Sequence, residues 1–399
     1  MKVLFICNKS PYPAKEGGPI AMHRVIDGVV RAGHSVKVLA INSFKYNIDI
    51  NDVPEDYKQK TGLELEFIDL RIKPINAFFN LFTDQSYHVQ RFISSSFSKK
   101  IVNILSAEKF DVIQFETLFI APYIEEIRKY SDAKIVLRAH NIEHLIWQRI
   151  AETTINPLKK IYVKHLANTL KKYEINAISK FDGIAAITKK DGDFFRQINS
   201  NVVDIPFGIY TDEYDTQEVE KELPSLYHIG SMNWMPNEEG IRWFLDNVWD
   251  MVHKRFPDLP LYLAGRNMPQ WLIKSDYVNV HVVGEVDSAM HFMKSKGIMI
   301  VPLLSGSGIR IKIIEGMTAS SPIVSTTVGA EGIMCTHEKD IMLADTPKDF
   351  VAAIEKLVDN PSFAKKLGDD AFRLIENDHN NKIIIQKLIK FYEAICTVA

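Results

Sequence analysis

The sequence has few cysteines, no long apolar run and almost no net charge. Only three cysteines occur among 399 residues, all far apart, which argues against a disulfide framework and a cysteine-based zinc site and is typical of a reducing compartment. No stretch approaches the roughly 20 apolar residues of a membrane-spanning helix, and the apolar N-terminal run is too short for a signal peptide. We therefore expect a soluble, cytoplasmic protein, or one attached peripherally at the inner face of a membrane.

The charge balance and the missing motifs exclude other classes. The formal net charge of −2 produces no global basic field, so nucleic acid is not an expected partner. No complete GxGxxG follows the first apolar run, which argues against a dinucleotide-dependent oxidoreductase. Neither Asp182 nor Asp191 has metal-ligand spacing, and no DxD-type pair follows a predicted strand. We expect no essential metal and no cofactor.

The N-terminal sequence has the order of a βαβ unit. Residues 3–7 form a wholly apolar run, which is typical of a strand buried on both faces. A loop rich in proline and glycine follows, then a helical pattern over residues 20–32 that ends at Gly33. Residues 36–41 form the next apolar run. This order predicts a parallel α/β sheet.

The same alternation continues along the chain and divides it into two series. The first ends with a predicted strand over residues 202–205, and an acidic segment with two prolines at 206–224 is the predicted linker. The expected architecture is α/β, with two Rossmann-like parallel-sheet domains over residues 1–205 and 225–380 that face each other across a cleft. Residues 237–256 read as one helix, and residues 350–375 and 381–396 read as closing helices. The segment 381–399 is expected to cross back to the N-terminal domain. Parallel sheets bind ligands at the carboxyl ends of their strands, so the cleft is the expected site.

The segment 305–315 has the strongest functional signal. A buried strand ends at Pro302, and a loop with the sequence SGSG leads into a helix predicted to begin near Ile309. Backbone N–H groups at such a helix N-terminus favour phosphate, and Arg310 and Lys312 add cationic donors where the helix dipole does not favour them. Glu315, further along the helix, can accept hydrogen bonds from two neighbouring ribose hydroxyls. The pattern predicts a nucleoside diphosphate site.

The text SGSGIRIKIIEGM, followed by SSPIVSTTVGAEGI, resembles the nucleotide-sugar signature of the retaining family-4 glycosyltransferases, which have the GT-B fold. In that family the signature contains two glutamates. Glu315 matches the second, whose implied role is to bind the ribose. Ser307 stands where the first would contact the transferred sugar, and this departure leaves the identity of the sugar open.

The resemblance extends over nearly the whole chain, through a glycine loop after the first strand, the segment RAHNIEH at 138–144, and three loops of the C-terminal domain. It implies catalytic roles for His140, Arg310 and Lys312. It implies donor binding by the following residues: Gly17, Gly18, Gly230, Ser231, Arg266, Val283, Glu285, Gly306, Ser307, Gly308, Ile309 and Glu315.

The implied reaction is transfer of a sugar from a nucleoside diphosphate, most commonly UDP in this family, to a hydroxyl of a glycan or lipid-linked acceptor. The resemblance implies retention of configuration and no protein nucleophile. Two alternatives remain open. One is a sugar-nucleotide epimerase of the same fold, and the other is a nucleotide-sugar-binding protein without catalysis.

Most of these residues also have a structural interpretation. A glycine pair such as Gly17 and Gly18 is commonly a tight turn, and His140 can be a hydrogen-bonded core histidine. Arg266 can cap a neighbouring helix, Glu285 can be a surface carboxylate, and Lys312 can be solvated. The physical patterns alone do not separate these interpretations.

Two stretches of the N-terminal domain concern the acceptor. Aromatic residues including Phe78, Phe79 and Phe82 lie near Arg71 and Lys73, and a long helical pattern contains Lys159, Lys160, Lys164, Lys171 and Lys172. Basic and aromatic residues together suit an anionic membrane face or a lipid-linked acceptor. The alternative is a packed domain with a solvated helix face.

Overall fold

A computed structural model describes residues 1–14, 17–213, 219–306 and 309–397. The chain divides into two compact units. The first comprises Met1–Gly208 and Asn381–Ala399, and the second comprises Ile209–Asn380. Residues 214–218 of the predicted linker lie outside the described residues, and so do Ser307 and Gly308 of the predicted site.

The first unit is built on an all-parallel sheet whose strands come from short apolar runs. The strands follow the order β3-β2-β1-β4-β5-β6-β7 across the sheet. Their bounds are β1 Lys2–Cys7, β2 Ser35–Asn42, β3 Glu64–Phe67, β4 Val112–Phe115, β5 Lys134–Ala139, β6 Gly183–Ala186 and β7 Val202–Asp204.

The second unit repeats this arrangement with the order β10-β9-β8-β11-β12-β13, and its strands are also parallel. Their bounds are β8 Leu226–Ile229, β9 Leu261–Ala264, β10 Val280–Gly284, β11 Ile298–Val301, β12 Ile323–Ser325 and β13 Met342–Leu343. The short edge strand β13 carries too little pattern to be predicted from sequence. The prediction of two parallel-sheet α/β units is confirmed.

Within each unit, helices connect the successive strands up to β12, as is usual between parallel strands, whereas residues 326–341 between β12 and β13 contain none. In the first series they are α1 Gly17–Arg31, α2 Glu55–Thr61, α3 Pro74–Asn80, α4 Tyr87–Gln90, α5 Ser95–Ala107, α6 Ile124–Tyr130, α7 Glu143–Thr153, α8 Pro157–Ile178 and α9 Lys189–Phe195. In the second they are α10 Met235–Phe244, α11 Asp250–Arg255, α12 Gln270–Ile273, α13 Ala289–Ser295, α14 Ile311–Thr318, α15 Pro347–Asp359 and α16 Pro361–Asp378, followed by α17 Asn381–Thr397.

Two helix predictions need correction. The pattern over residues 350–375 reads as one helix, but the structure has two, because Pro361 lacks an N–H and disfavours helical geometry at Asn360. The Asn360 side chain instead caps α16 by accepting from the backbone N–H of Phe363 at 3.0 Å. The predicted helix at 237–256 begins earlier, at Met235, and contains a π-helical segment at Leu245–Trp249 that separates α10 from α11.

The last helix, α17, belongs to the first unit and packs against α1. Ile384, Ile385 and Leu388 lie in the same buried cluster as Val25 and Ile26 of α1. Gly28 of α1 allows this close approach, since a Cβ there would overlap the side chain of Ile385. The cluster covers one face of the first sheet.

Each sheet has one point where the direction of strand addition reverses. In the first unit this point lies between β1 and β4, and in the second it lies between β8 and β11. The loops that follow these strands diverge and leave a crevice outside their carboxyl ends, which is where open α/β sheets bind ligands. These two places are therefore the expected ligand sites of the two units.

Candidate functional site

In the second unit, the loop after β11 leads into α14 next to the point where strand addition reverses. Helix α14 begins at Ile311, two positions later than predicted, because Arg310 has the extended geometry of an N-cap residue (φ −88°, ψ 92°). Arg310 and Lys312 therefore both lie at the N-terminus of the helix. The positive end of the helix dipole and two cationic side chains coincide here.

Lys312 is held by side chains from two other elements. Its Nζ lies 2.7 Å from Oδ1 of Asn237, on α10, and 3.3 Å from Nε2 of His228, on β8. The Nδ1 atom of His228 lies 2.8 Å from the carbonyl oxygen of Ile300, so Nδ1 carries the proton and Nε2 accepts from the ammonium. Asn237 in turn donates to the carbonyl of Ser231 at 2.8 Å. This network fixes the position of the ammonium group.

The environment of Lys312 opposes its charge. Burial, and then the nearby guanidinium of Arg310, lower its pKa from 10.5 to about 7, and Glu315 only partly compensates. Burial and the charge of Lys312 together hold the pKa of His228 well below its usual range, so that imidazole is neutral. A bound anion stabilises the protonated form of such a lysine, because it offsets both the desolvation of the ammonium group and its repulsion by Arg310.

Arg310 is buried, with 4% of its surface exposed. Its guanidinium carbon lies 5.5 Å from the ring centroid of Trp234, within range of a cation–π interaction. Gly306 has a φ of +120°, and a Cβ there would approach Nη2 of Arg310 to 2.9 Å. Glycine at this position therefore satisfies both the backbone geometry and the packing of the arginine.

The loops after β8, β9 and β10 approach one another closely. Gly265 has a φ of +138°, and a Cβ there would overlap the carbonyl oxygen of Gly230. The Met232 N–H donates to the carbonyl of Arg266 at 2.9 Å, and the Gly265 N–H donates to the carbonyl of Gly284 at 2.7 Å. The structure thus brings the loop of Arg266 against the loop of Gly230 and Ser231, and Gly230 lies beside the side chain of Lys312.

The remaining predicted residues of this unit are placed as follows. Val283 and Glu285 are exposed and lie at the edge strand β10, two strands away from β8. Glu315 is partly buried on α14 and its charge acts on Lys312, while Ile309 is partly buried before the helix. Among the described residues, no group of three or more His, Cys, Asp or Glu side chains is arranged to hold a metal ion.

The first unit contains a buried polar cluster around Glu116, directly after β4. Its Oε2 accepts from Nη1 of Arg138 at 3.2 Å and lies 3.0 Å from Nε2 of His140, while its Oε1 accepts from Gln114 at 2.6 Å. Arg138 and Glu116 are fully buried side chains, and His140 is 21% exposed. Arg138 also donates to the carbonyl of Ala21, in α1, at 3.2 Å. His140 is thus the member of the cluster that reaches solvent.

The charge states in this cluster follow from its contacts. Burial opposes ionisation of Glu116, but Arg138 and the hydrogen bond from His140 hold its pKa below the ordinary value of 4.5. Burial lowers the pKa of His140, and Arg138 and Lys9 lower it further, while Glu116 partly opposes the shift. His140 is therefore a neutral imidazole whose Nε2–H donates to the carboxylate.

The predicted glycine loop lies next to Lys9. A Cβ at Gly18 would come within 3.0 Å of both Cε and Nζ of Lys9, and Gly17 is the exposed first residue of α1. Lys9 also lies over the ring of Tyr46, with its Nζ 4.5 Å from the centroid. The charge of Lys9 acts on His140, so the glycine loop and the Glu116 cluster belong to one neighbourhood.

The segment after His140 is fixed from a neighbouring helix. Glu174, on α8, accepts from the backbone N–H groups of Glu143 and His144 at 3.0 Å each, and from Nδ1 of His144 at 2.6 Å. It therefore caps the N-terminus of α7. Burial, and then the charge of Glu174, raise the pKa of Glu143 to about 8, so the Glu143 carboxyl is protonated at neutral pH.

Several residues of these clusters were not predicted, and three of them have central contacts. His228 lies within an apolar strand and Asn237 in the first turns of α10, and both contact Lys312 only after folding. Glu116 follows a buried strand directly, and a carboxylate at such a strand end is a signal that could have identified it.

The second unit matches a known family. The sequence model described as "Glycosyl transferases group 1" matches residues 224–360, which include Lys312 and its partners. An uncharacterized 44.6 kDa protein in the cps region of Klebsiella pneumoniae is 25% identical over 407 residues, covering 98% of this chain and 99% of that protein.

Solved structures share the fold over the whole chain. A sucrose-phosphate synthase from Thermosynechococcus elongatus is 14% identical, with a TM-score of 0.67 and coverage of 100% of each chain. The HepE protein of Anabaena, solved in complex with UDP-glucose, is 12% identical, with a TM-score of 0.63 and coverage of 99% of this chain and 100% of that one. The chain therefore has the fold of the GT-B glycosyltransferases, and its second unit matches the glycosyl transferases group 1.

Proposed function

We propose that the protein is a retaining glycosyltransferase that takes its sugar from a UDP-sugar and transfers it to a hydroxyl of a glycan or lipid-linked acceptor. The observation that carries the proposal is the pair Arg310 and Lys312 at the N-terminus of α14. Burial, and then the repulsion between the two cations, lower the pKa of Lys312. A diphosphate removes this penalty.

The roles of the other residues follow from this placement. A side chain at position 230 would overlap Lys312. Because glycine has no side chain, a phosphate held by Lys312 can also approach the backbone at this position. Glu315 accepts hydrogen bonds from the ribose hydroxyls. The match to the glycosyl transferases group 1 over residues 224–360 supports these assignments. Binding of UDP-glucose by Anabaena HepE supports the choice of a UDP-sugar.

In the proposed reaction, the bond between the anomeric carbon and the diphosphate oxygen breaks as the acceptor oxygen bonds to that carbon. The acceptor proton passes to an oxygen of the leaving diphosphate, so the chemistry requires neither a protein nucleophile nor a metal. Lys312 and Arg310 stabilise the negative charge that develops on the diphosphate. His140, neutral and oriented by Glu116, holds the transferred sugar.

A panel of UDP-, GDP- and TDP-sugars tests this proposal. A ligand at about 100 times its Kd stabilises the folded state by about 2.7 kcal/mol, which corresponds to a rise in melting temperature of roughly 5 to 10 °C for a unit of this size. We expect this rise with a UDP-sugar, and release of UDP with a glycan acceptor. NMR of the product then shows whether the anomeric configuration is retained.

The same panel separates the alternatives. An epimerase converts the nucleotide-sugar into a second nucleotide-sugar without releasing UDP. A binding protein without catalysis shows the rise in melting temperature and leaves the ligand unchanged with every acceptor. No stabilisation by any nucleoside diphosphate sugar would contradict the proposed site itself.

Substitution of Gly230 by alanine tests the geometry around Lys312. The new Cβ would overlap Nζ of Lys312 and lie 2.8 Å from Nδ2 of Asn237. The lysine side chain is flexible and is therefore displaced, while the backbone is kept. We expect UDP affinity to fall about 10- to 100-fold, since a charge-assisted hydrogen bond is worth roughly 1.5–3 kcal/mol, and calorimetry measures the change.

A glycine of the first unit provides the matched control for this substitution. A Cβ at Gly183 would lie 2.5 Å from Cζ of Phe391. Both residues belong to the first unit, so Gly183→Ala introduces a similar overlap there and leaves the second unit unchanged. It should leave UDP affinity unchanged. If G230A acts through Lys312, it should weaken binding no further in a Lys312→Met background, and an additive loss would refute this explanation.

A further inference from the structure

The first unit exposes an unusual set of large apolar side chains on and beside α3 and around the start of α8. Each of them is between 59% and 97% exposed. We call them the apolar patch, which consists of Ile72, Ile75, Phe78, Phe79, Phe82, Ile155, Leu158 and Ile161. Monomeric proteins rarely leave so many neighbouring apolar groups in water without a partner.

The two parts of the patch belong to one packed layer. Ala77 of α3 and Leu166 of α8 are buried in the same small cluster with Tyr87, and Nε2 of His165 lies 3.2 Å from the carbonyl oxygen of Asn80. On α8, residues 158, 161, 162, 165 and 166 follow helical spacing along one face. The second half of this face packs against α3 and its neighbours, while Leu158 and Ile161 in the first half are exposed.

The exposed phenylalanines form a cluster of their own. The ring centroid of Phe78 lies 5.9 Å from that of Phe79 and 5.6 Å from that of Phe82, both at near-perpendicular angles. Three aromatic rings on and just after a single short helix thus contact one another while they remain exposed to solvent. Aromatic side chains are favoured at the boundary between lipid headgroups and acyl chains.

The charge around the patch is mainly positive. Residues 69–84 contain Arg71 and Lys73 beside Asp69 and Asp84, and residues 155–173 contain five lysines and no acidic residue. Asp69 pairs with Arg71 and Asp84 with Lys172, so the excess positive charge comes mainly from Lys73 and the lysines at the start of α8. This contrasts with the chain as a whole, whose formal net charge is −2. A basic rim around aromatic and aliphatic groups is complementary to an anionic lipid surface, which attracts each nearby lysine or arginine.

We propose that the apolar patch docks this protein onto an anionic lipid bilayer. Phe78, Phe79 and Phe82 enter the headgroup boundary, and the lysines at the start of α8 bind lipid phosphates. Contact is with the surface only, since no described helix is long and apolar enough to cross a membrane. The inference is independent of the proposed reaction, because it uses no residue of the nucleotide site.

Sedimentation with lipid vesicles tests this proposal on the full-length chain. We expect binding to vesicles of phosphatidylglycerol and phosphatidylcholine, and at least tenfold weaker binding to vesicles of phosphatidylcholine alone. The triple variant F78S/F79S/F82S should bind the anionic vesicles at least tenfold less, and so should K159E/K160E/K164E. Raising the salt concentration should weaken the wild type and leave little further effect in the charge variant.

Matched variants in the second unit control for surface changes in general. Ile273 and Val278 are also exposed apolar residues, and Lys254, Lys365 and Lys366 are exposed lysines. The variants I273S/V278S and K254E/K365E/K366E should bind vesicles like the wild type. Melting curves with and without UDP verify that every variant is folded and separate failure here from failure of the nucleotide site.

Two results would overturn the proposal. One is wild-type binding that is absent, or that does not differ between anionic and neutral vesicles. The other is a wild-type protein that does not bind vesicles but forms a dimer in sedimentation velocity, while F78S/F79S/F82S is a monomer. That result would make the patch an interface between two copies of this chain.

Discussion

Replacing Lys312 by methionine is expected to lower the rate of sugar transfer about 100- to 1,000-fold, the usual effect of removing one donor that stabilises developing negative charge. Methionine keeps much of the length and volume of the side chain but cannot donate to a phosphate oxygen. The buried partners Asn237 and His228 remain in place and still fix the surrounding loops. Steady-state kinetics with a UDP-sugar and acceptor measure the effect.

The pH dependence of donor binding identifies Lys312 more specifically than the rate does. Its pKa is about 7 in the unliganded protein, and a bound diphosphate raises it. Binding is therefore accompanied by proton uptake above pH 7, and affinity falls as the pH rises. Between pH 7 and 9 the protonated fraction drops about 50-fold, which sets the largest possible loss of affinity. The diphosphate group of a nucleoside diphosphate sugar has no proton that titrates in this range.

The Lys312→Met variant should lose both affinity for the donor and the pH dependence of that affinity. In Lys312→Met the affinity for a UDP-sugar should be low and nearly constant between pH 7 and 9. Lys365, an exposed lysine of the same unit, provides the control, and Lys365→Met should behave like the wild type. A rate within tenfold of the wild type, or an unchanged pH profile in Lys312→Met, would show that the lysine does not contact the diphosphate.

Replacing Glu116 by glutamine is expected to destabilise the protein by about 3–5 kcal/mol, because it leaves a fully buried arginine without a countercharge. The Nη1 atom of Arg138 bonds to Glu116 and to a backbone carbonyl, and no hydrogen bond from its Nε or Nη2 is present within the described residues. Glutamine has the same shape but no charge. Urea denaturation at pH 7 measures the loss.

The sign of the pH effect follows from the lowered pKa of Glu116. A carboxyl whose folded-state pKa lies below its unfolded value of 4.5 stabilises the fold above that pH and loses the contribution as the pH falls through the folded value. The wild type should therefore lose stability below about pH 4.5 more steeply than Glu116→Gln. The two curves should converge in acid.

A second substitution tests whether the buried charge is the cause. Adding Arg138→Met to Glu116→Gln should restore part of the lost stability, because apolar replacement of a buried pair is often neutral. Asp84→Asn removes a carboxylate from an exposed pair with Lys172, and it should change stability by no more than about 0.5 kcal/mol. A double variant less stable than Glu116→Gln would refute the electrostatic explanation.

The sequence predicts the two series of parallel strands and the loop after β11 well, because both depend on local patterns. The apolar run of β11, the glycines after it and the cations at 310 and 312 are contiguous in the chain. The proline that separates α15 from α16, Pro361, is also visible in the sequence. The apolar residues on either side of it have helical spacing, and this spacing conceals the break between the two helices. These features require no knowledge of tertiary contacts.

The partners of the candidate residues could not be predicted in the same way. His228 on β8 and Asn237 on α10 contact Lys312 on α14, although both are distant from it in the sequence. The pKa of Lys312 depends on its burial in the folded chain. The exposure of Phe78, Phe79 and Phe82 likewise depends on which side of α3 packs against α8. Such properties arise from distant parts of the chain, and a single sequence does not record them.

The position of α17 has a consequence for how the polypeptide is made. The second unit, Ile209–Asn380, is a continuous segment inserted between the two parts of the first. During synthesis it can therefore emerge complete and fold while α1 still lacks Ile384, Ile385 and Leu388 to cover it. The N-terminal half of the protein, although translated first, completes its core last.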